Sequence, residues 1–184
     1  MLNRRHLRIK VLQSLYAFFQ SNDNEYAKAE KEMLSSVERI YDLYIYLSLT
    51  FAELKHIAEF RLEEGKKKIR PTEEDLNPNR KFADNTIIKI LEENVTLRVL
   101  SEQRKVNWIG DEDQEMFRKM YLHIRESEVY DAYMNNGETG FEEDKAFALA
   151  LFKTEIANYP LLYNYFEEKS IHWLDDIDLA CSMV

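Results

Sequence analysis

An all-α protein, a multi-helix bundle of about seven helices with one long central helix, is what this sequence predicts. Three observations carry the prediction. The 184 residues hold only 4 glycines and 3 prolines, so helix breakers are scarce. Hydrophobic residues make up 45% of the chain, enough for a packed interior. Apolar residues also recur at steps of three and four rather than two. At this length the chain suits one domain, or two small ones sharing a core, and it reads as a single helical domain spanning residues 1–184.

The elements follow in order. A first helix runs from Arg4 to Gln20, with Leu7, Val11, Leu12, Leu15, Phe18 and Phe19 on one broad apolar arc. The run Ser21-Asn22-Asp23-Asn24 stops it and offers a cap to the next helix. That helix is long, from about Glu25 to Glu64. Met33, Val37, Ile40, Tyr44, Leu47, Phe51, Leu54 and Ala58 form a heptad-like stripe along it. Its middle, residues 43–51, is apolar nearly all round, so Tyr44, Leu47 and Phe51 should be buried on several sides. Residues 65–84 read as a loop with two prolines. Three helical segments follow at about 85–108, 112–135 and 142–158, and Pro160 starts a sixth helix, since proline is tolerated in a first turn. Asp175 and Asp176 are placed to cap a seventh, where Ile177, Ala180, Cys181 and Val184 begin an apolar face that nothing later in the sequence covers. A weak homodimer through that end is therefore expected.

Charge is distributed unevenly. The chain carries a net −9, yet its first twenty residues contain Arg4, Arg5, Arg8 and Lys10 and no acid; the first acidic residue is Asp23. A helix N-terminus is already partly positive, so each cation there costs about 0.3–1 kcal/mol. An anionic partner explains the cluster better than helix stability does. Arg4 and Arg8, four residues apart, share a helix face and can grip neighbouring phosphates. Tyr16 supplies a ring on which an unpaired base can stack. The other reading is a solvated basic helix start with Tyr16 as packing.

The run RRHLRIKVLQSLYAFFQ resembles the opening helix of the NusB family of bacterial transcription antitermination factors, an arginine-rich segment leading into an (A/V)-x-Q-x-L-Y helix. Arg4, Arg5, Arg8, Gln13, Leu15 and Tyr16 carry the match. A second stretch, residues 141–177 with the adjoining Asp178, is similar to the family's later segment, with Asp144, Phe147, Leu151, Trp173 and Asp178 in the corresponding places. The resemblance implies an all-helical NusB-like fold and binding of a short single-stranded boxA-like RNA of nascent ribosomal transcripts. It also implies a small-subunit ribosomal protein and the RNA polymerase complex as partners, and transcription antitermination as the outcome. It assigns Arg4, Arg5 and Arg8 to phosphate and base contacts and Tyr16 to stacking. Residues 23–140 read as a long helical insertion relative to the family, and 141–184 as its second segment cut short, so the chain reads as the front portion of a longer protein or a shortened variant. The alternative is a helical protein–protein adaptor whose basic tip meets an acidic partner, with no RNA.

Other chemistry is weaker. Glu53 and His56 form an E-x-x-H, but both sit about 150° from the centre of the buried stripe and should face water rather than a metal. His123 and Glu126 have the reversed order. Lys66, Lys67, Lys68 and Arg70 complement the end of the long helix more than they mark a second RNA site. Asp111, Glu112 and Asp113 read as helix-start acids. Cys181, the one cysteine, leaves no internal disulfide and fits a reducing cytoplasm. Four histidines without a convincing partner set point to no catalytic group, cofactor or metal. No stretch reaches about 18 apolar residues, so no membrane span is expected.

Overall fold

The computed structural model describes residues 4–21, 25–170, 173 and 176–184. Among them every regular element is helical. Ten α-helices follow in order: α1 (Arg4–Gln20), α2 (Tyr26–Lys66), α3 (Glu73–Leu76), α4 (Thr86–Glu92), α5 (Val95–Arg104), α6 (Asp111–Arg125), α7 (Glu128–Asn135), α8 (Phe141–Leu151), α9 (Pro160–Lys169) and α10 (Ile177–Met183). A π-helical turn, Phe152–Ile156, extends α8, and the Ala157 N–H reaches back five residues to the Phe152 carbonyl at 2.8 Å.

Ten helices replace the expected seven because local caps divide the longer segments. Asn94 accepts a bond from the Leu97 N–H at 3.0 Å and starts α5 two residues after α4 ends. Ser127 accepts from the Tyr130 N–H at 3.3 Å and separates α7 from α6. Within the expected loop 65–84, Thr72 and Asp75 cap each other reciprocally and nucleate the single turn of α3. The cap expected from Asn22, Asp23 and Asn24 lies outside the described residues; Ser21 closes α1 by donating to the Phe18 carbonyl at 2.9 Å.

The chain divides into two compact units, with α2 and α9 contributing to both. The first comprises Met1–Tyr44 and Phe166–Val184. Its buried apolar residues include Ile40, Leu43, Phe166, Trp173, Ile177, Leu179 and Ala180. Trp173 meets Phe166 edge-on at 5.7 Å and donates its indole N–H to the Arg39 carbonyl at 2.9 Å. Of the face expected to lie open on α10, Ile177 and Ala180 are buried, Cys181 is half-buried and Val184 is 37% exposed, so the expectation of an open face is corrected for the first two residues. Tyr44 is only half-buried and stacks on the exposed Tyr41 at 5.6 Å.

The second unit, Ile45–Tyr165, has an aromatic core. Trp108 lies 4.8 Å from the Tyr46 ring, 5.0 Å from Phe117 and 4.9 Å from Tyr165, and donates to the Tyr46 carbonyl at 3.1 Å. Phe82 gathers Tyr121, Tyr130 and Phe147 at 5.6–6.0 Å. Leu47 and Phe51 are buried as the stripe predicts, and Phe51 stacks on Phe152 at 6.0 Å.

Candidate nucleic-acid interface

The basic helix forms with the bounds its sequence predicts, Arg4–Gln20. Its environment differs from the expectation. Arg4, Arg5 and Arg8 are exposed, and Tyr16 is 68% exposed. The apolar arc is exposed as well: Leu7, Val11, Leu12 and Leu15 all face solvent, and Phe19 is 77% exposed. Only Phe18 of that arc is half-buried. The one buried residue of α1 is Lys10, whose ammonium meets the Asp176 carboxylate at 2.5 Å. Lys10 is therefore withdrawn from the basic run, and the arc expected to pack into a core does not do so. Periodicity identified which residues share a face, not whether a partner element covers that face.

Arginines at one end and a ring about 12 Å further along, at 1.5 Å rise per residue from Arg8 to Tyr16, match the pattern by which single strands are held. Phosphates are neutralised by guanidinium groups and an unstacked base lies on the ring. Acids are absent from α1, so no like-signed charge on this helix opposes an approaching phosphate.

The remaining candidates resolve into local structure. Glu53 is half-buried and accepts from the Gln114 amide at 3.2 Å, whereas His56 is exposed and meets Glu92 at 3.4 Å. Glu92 also pairs with the buried Lys55. His123 contacts Glu155 at 3.0 Å rather than Glu126. Among the described residues no group of three potential metal ligands converges. Lys66, Lys67 and Lys68 pair with Glu63, Glu64 and Asp75 at 2.7, 3.3 and 2.7 Å, as helix-end complements. The Lys68 hydrogen bond, with Thr72 backbone support, holds the Asp75 carboxyl down at about 2. Asp113 accepts the Gly110 N–H at 3.0 Å at the start of α6. Burial pushes the Cys181 thiol up to about 11, with Asp178 adding to it, so it stays protonated. No described helix is long and apolar enough to cross a membrane.

One polar network escaped the sequence reading. The Asn85 carbonyl oxygen accepts from the Ile87 and Ile88 N–H groups, while its amide donates to the Tyr133 hydroxyl at 3.0 Å and the Asp144 carbonyl at 3.2 Å. Asp144 accepts from the Tyr133 hydroxyl at 2.6 Å and from the Thr86 N–H at 2.8 Å. Lys81 donates to the Tyr133 carbonyl at 2.7 Å and stands 4.3 Å over the Tyr133 ring. Burial raises the Asp144 pKa, but the bonds from Tyr133 and Thr86 outweigh it and leave the carboxyl below its ordinary value. Burial and then Asp144 push the Tyr133 phenol up, so it remains a neutral donor. The network ties α4, α7 and α8 together. Asn85 and Asp144 lie 59 positions apart, and only the Asn-Thr helix start at 85–86 hinted at it.

No family model, curated protein or solved structure matches the chain.

Proposed function

We propose that this chain is a non-enzymatic binder of single-stranded RNA, acting through α1 in the manner its resemblance to the NusB family implies. One observation carries the reading. Arg4, Arg5, Arg8 and Tyr16 are all exposed on a helix without acids, in a chain of net charge −9. An overall acidic surface repels nucleic acid everywhere else, so a localised basic helix gives binding together with direction. On this reading the arginines neutralise phosphates of a boxA-like element and Tyr16 stacks a base. A small-subunit ribosomal protein joins the assembly, which holds the RNA near RNA polymerase and resists termination.

A second reading, a protein–protein adaptor without RNA, draws on the exposed Leu12 (68%) and Phe19, which RNA does not require. Anisotropy titration of a labelled boxA-like single strand against the same bases scrambled separates the two. RNA function requires preference for the ordered sequence. Reversing Arg4 and Arg8 to Glu should abolish that binding with helical content unchanged, and each lost phosphate contact should flatten the salt slope by about 0.7. A double mutant that binds like the parent places the RNA site elsewhere.

A further inference from the structure

Two opposite charges lie buried against each other beneath α1. Lys10 is 4% exposed and Asp176 is 5% exposed, and they meet at 2.5 Å. Removing either partner of such a pair strands the other charge out of water. Asp176 occupies the N-cap position of α10 yet makes no side-chain capping bond; its carboxylate is directed at Lys10 instead. Its own backbone is fixed: the Asp176 N–H donates to the Trp173 carbonyl at 2.9 Å, and Trp173 is tied to Arg39 of α2.

The position of Lys10 on the helix gives the pair its consequence. At 100° per residue, Arg4 and Tyr16 stand about 120° from Lys10 around the axis, Arg5 about 140° and Arg8 about 160°. All four candidate residues therefore lie on the side away from the ion pair. No other residue of α1 is buried, so holding Lys10 inward holds those four outward.

We propose that Lys10 and Asp176 are a positioning pair that sets the rotation of α1 and thereby aims Arg4, Arg5, Arg8 and Tyr16 at single-stranded RNA. This rests on the RNA reading above. Neither residue touches the RNA. The charge of Lys10 is turned to Asp176 and adds nothing to the count of neutralised phosphates.

The test uses the full chain and a labelled boxA-like single strand titrated at several salt concentrations. Parent, Lys10→Glu, Asp176→Lys, the double exchange and Lys10→Met are compared, with hydrogen exchange across α1 measured in parallel. The single charge changes should weaken binding by about tenfold or more and speed exchange in α1, because a less fixed helix must be ordered on binding. The double exchange should return to within about threefold of the parent with the parent's salt slope, because phosphate count sets that slope. An exchanged pair that restores slow hydrogen exchange but not RNA affinity, with a flatter slope, makes Lys10 a phosphate contact and overturns the proposal. Single variants as tight as the parent overturn it too. Should the charge changes unfold the chain, Lys10→Met, which keeps the stem without the charge, decides: weaker binding at the parent's salt slope with α1 still helical supports the pair, and parental affinity or a flatter slope ends it. A parent that binds no RNA removes the RNA reading. RNA binding lost on reversing Arg4 and Arg8 but kept in Lys10→Met removes only the positioning role.

Discussion

α1 and α6 are nearly the same length, 17 and 15 residues, and they do opposite work. α6 buries Met116, Phe117, Met120, Tyr121 and Ile124 as an apolar stripe in the second unit's core, with the capping Asp113 buried at its start. α1 contains more large apolar side chains than α6, yet its one buried residue is a lysine. One helix buries a broad apolar area, whereas the fully buried contact of the other is a charge pair, with His6, Ser14 and Phe18 half-buried beside it. Substitutions in α6 should therefore read out chiefly in unfolding, and those on the exposed side of α1 should leave stability nearly unchanged.

The largest expected break in that contrast is Phe117→Ala. Phe117 is fully buried against Trp108, and its removal should cost about 3–5 kcal/mol in chemical denaturation while the exposed arginine face of α1 keeps its residues. Next comes Asp144→Ala in the buried network, which leaves the Tyr133 hydroxyl and Thr86 N–H without their acceptor and should cost about 2–3 kcal/mol. Asp144 also gives a pH signature. Its folded pKa is depressed below the ordinary 3.8, so its contribution is present above that value and is lost as pH falls through the lower folded value. Acid titration of the parent should show a loss of stability below about pH 4 that is shallower in Asp144→Asn. At the small end stand Leu12→Ser and Phe19→Ser, which should change stability by less than about 0.5 kcal/mol because both side chains are already in water. His56→Ala belongs with them. A cost above about 2 kcal/mol for Phe19→Ser would mean that α1 has a covered face after all.

Much of the helical framework was legible because it is written locally. The stripe through Leu47, Phe51 and Leu54, the Pro160 start and the bounds of α1 follow from spacing and capping chemistry within a few residues. The divisions at Asn94 and Ser127 were equally local; both are good N-cap residues standing within segments taken as continuous. The candidate site was legible as a residue set, Arg4, Arg5, Arg8 and Tyr16, but not as a setting. Lys10 looked like a fourth cation because its partner lies 166 positions away, and no local pattern announces a pairing over that distance. The contact between Asn85 and Asp144 has no local signal for the same reason. The exposed arc of α1 was misplaced because an amphipathic sequence promises a buried face only where another element arrives to bury it.

The chain's two tryptophans fall one in each compact unit, both buried: Trp173 beside Phe166 in the first, and Trp108 between Tyr46, Phe117 and Tyr165 in the second. The protein thus carries a built-in pair of optical reporters. Trp173→Phe leaves an emission that follows only the second unit, and Trp108→Phe leaves one that follows only the first. Red shifts that coincide on denaturation would describe a molecule that melts as one body. Shifts that separate would show the two units opening at different points, and the wavelength of each indole would say which had opened to water.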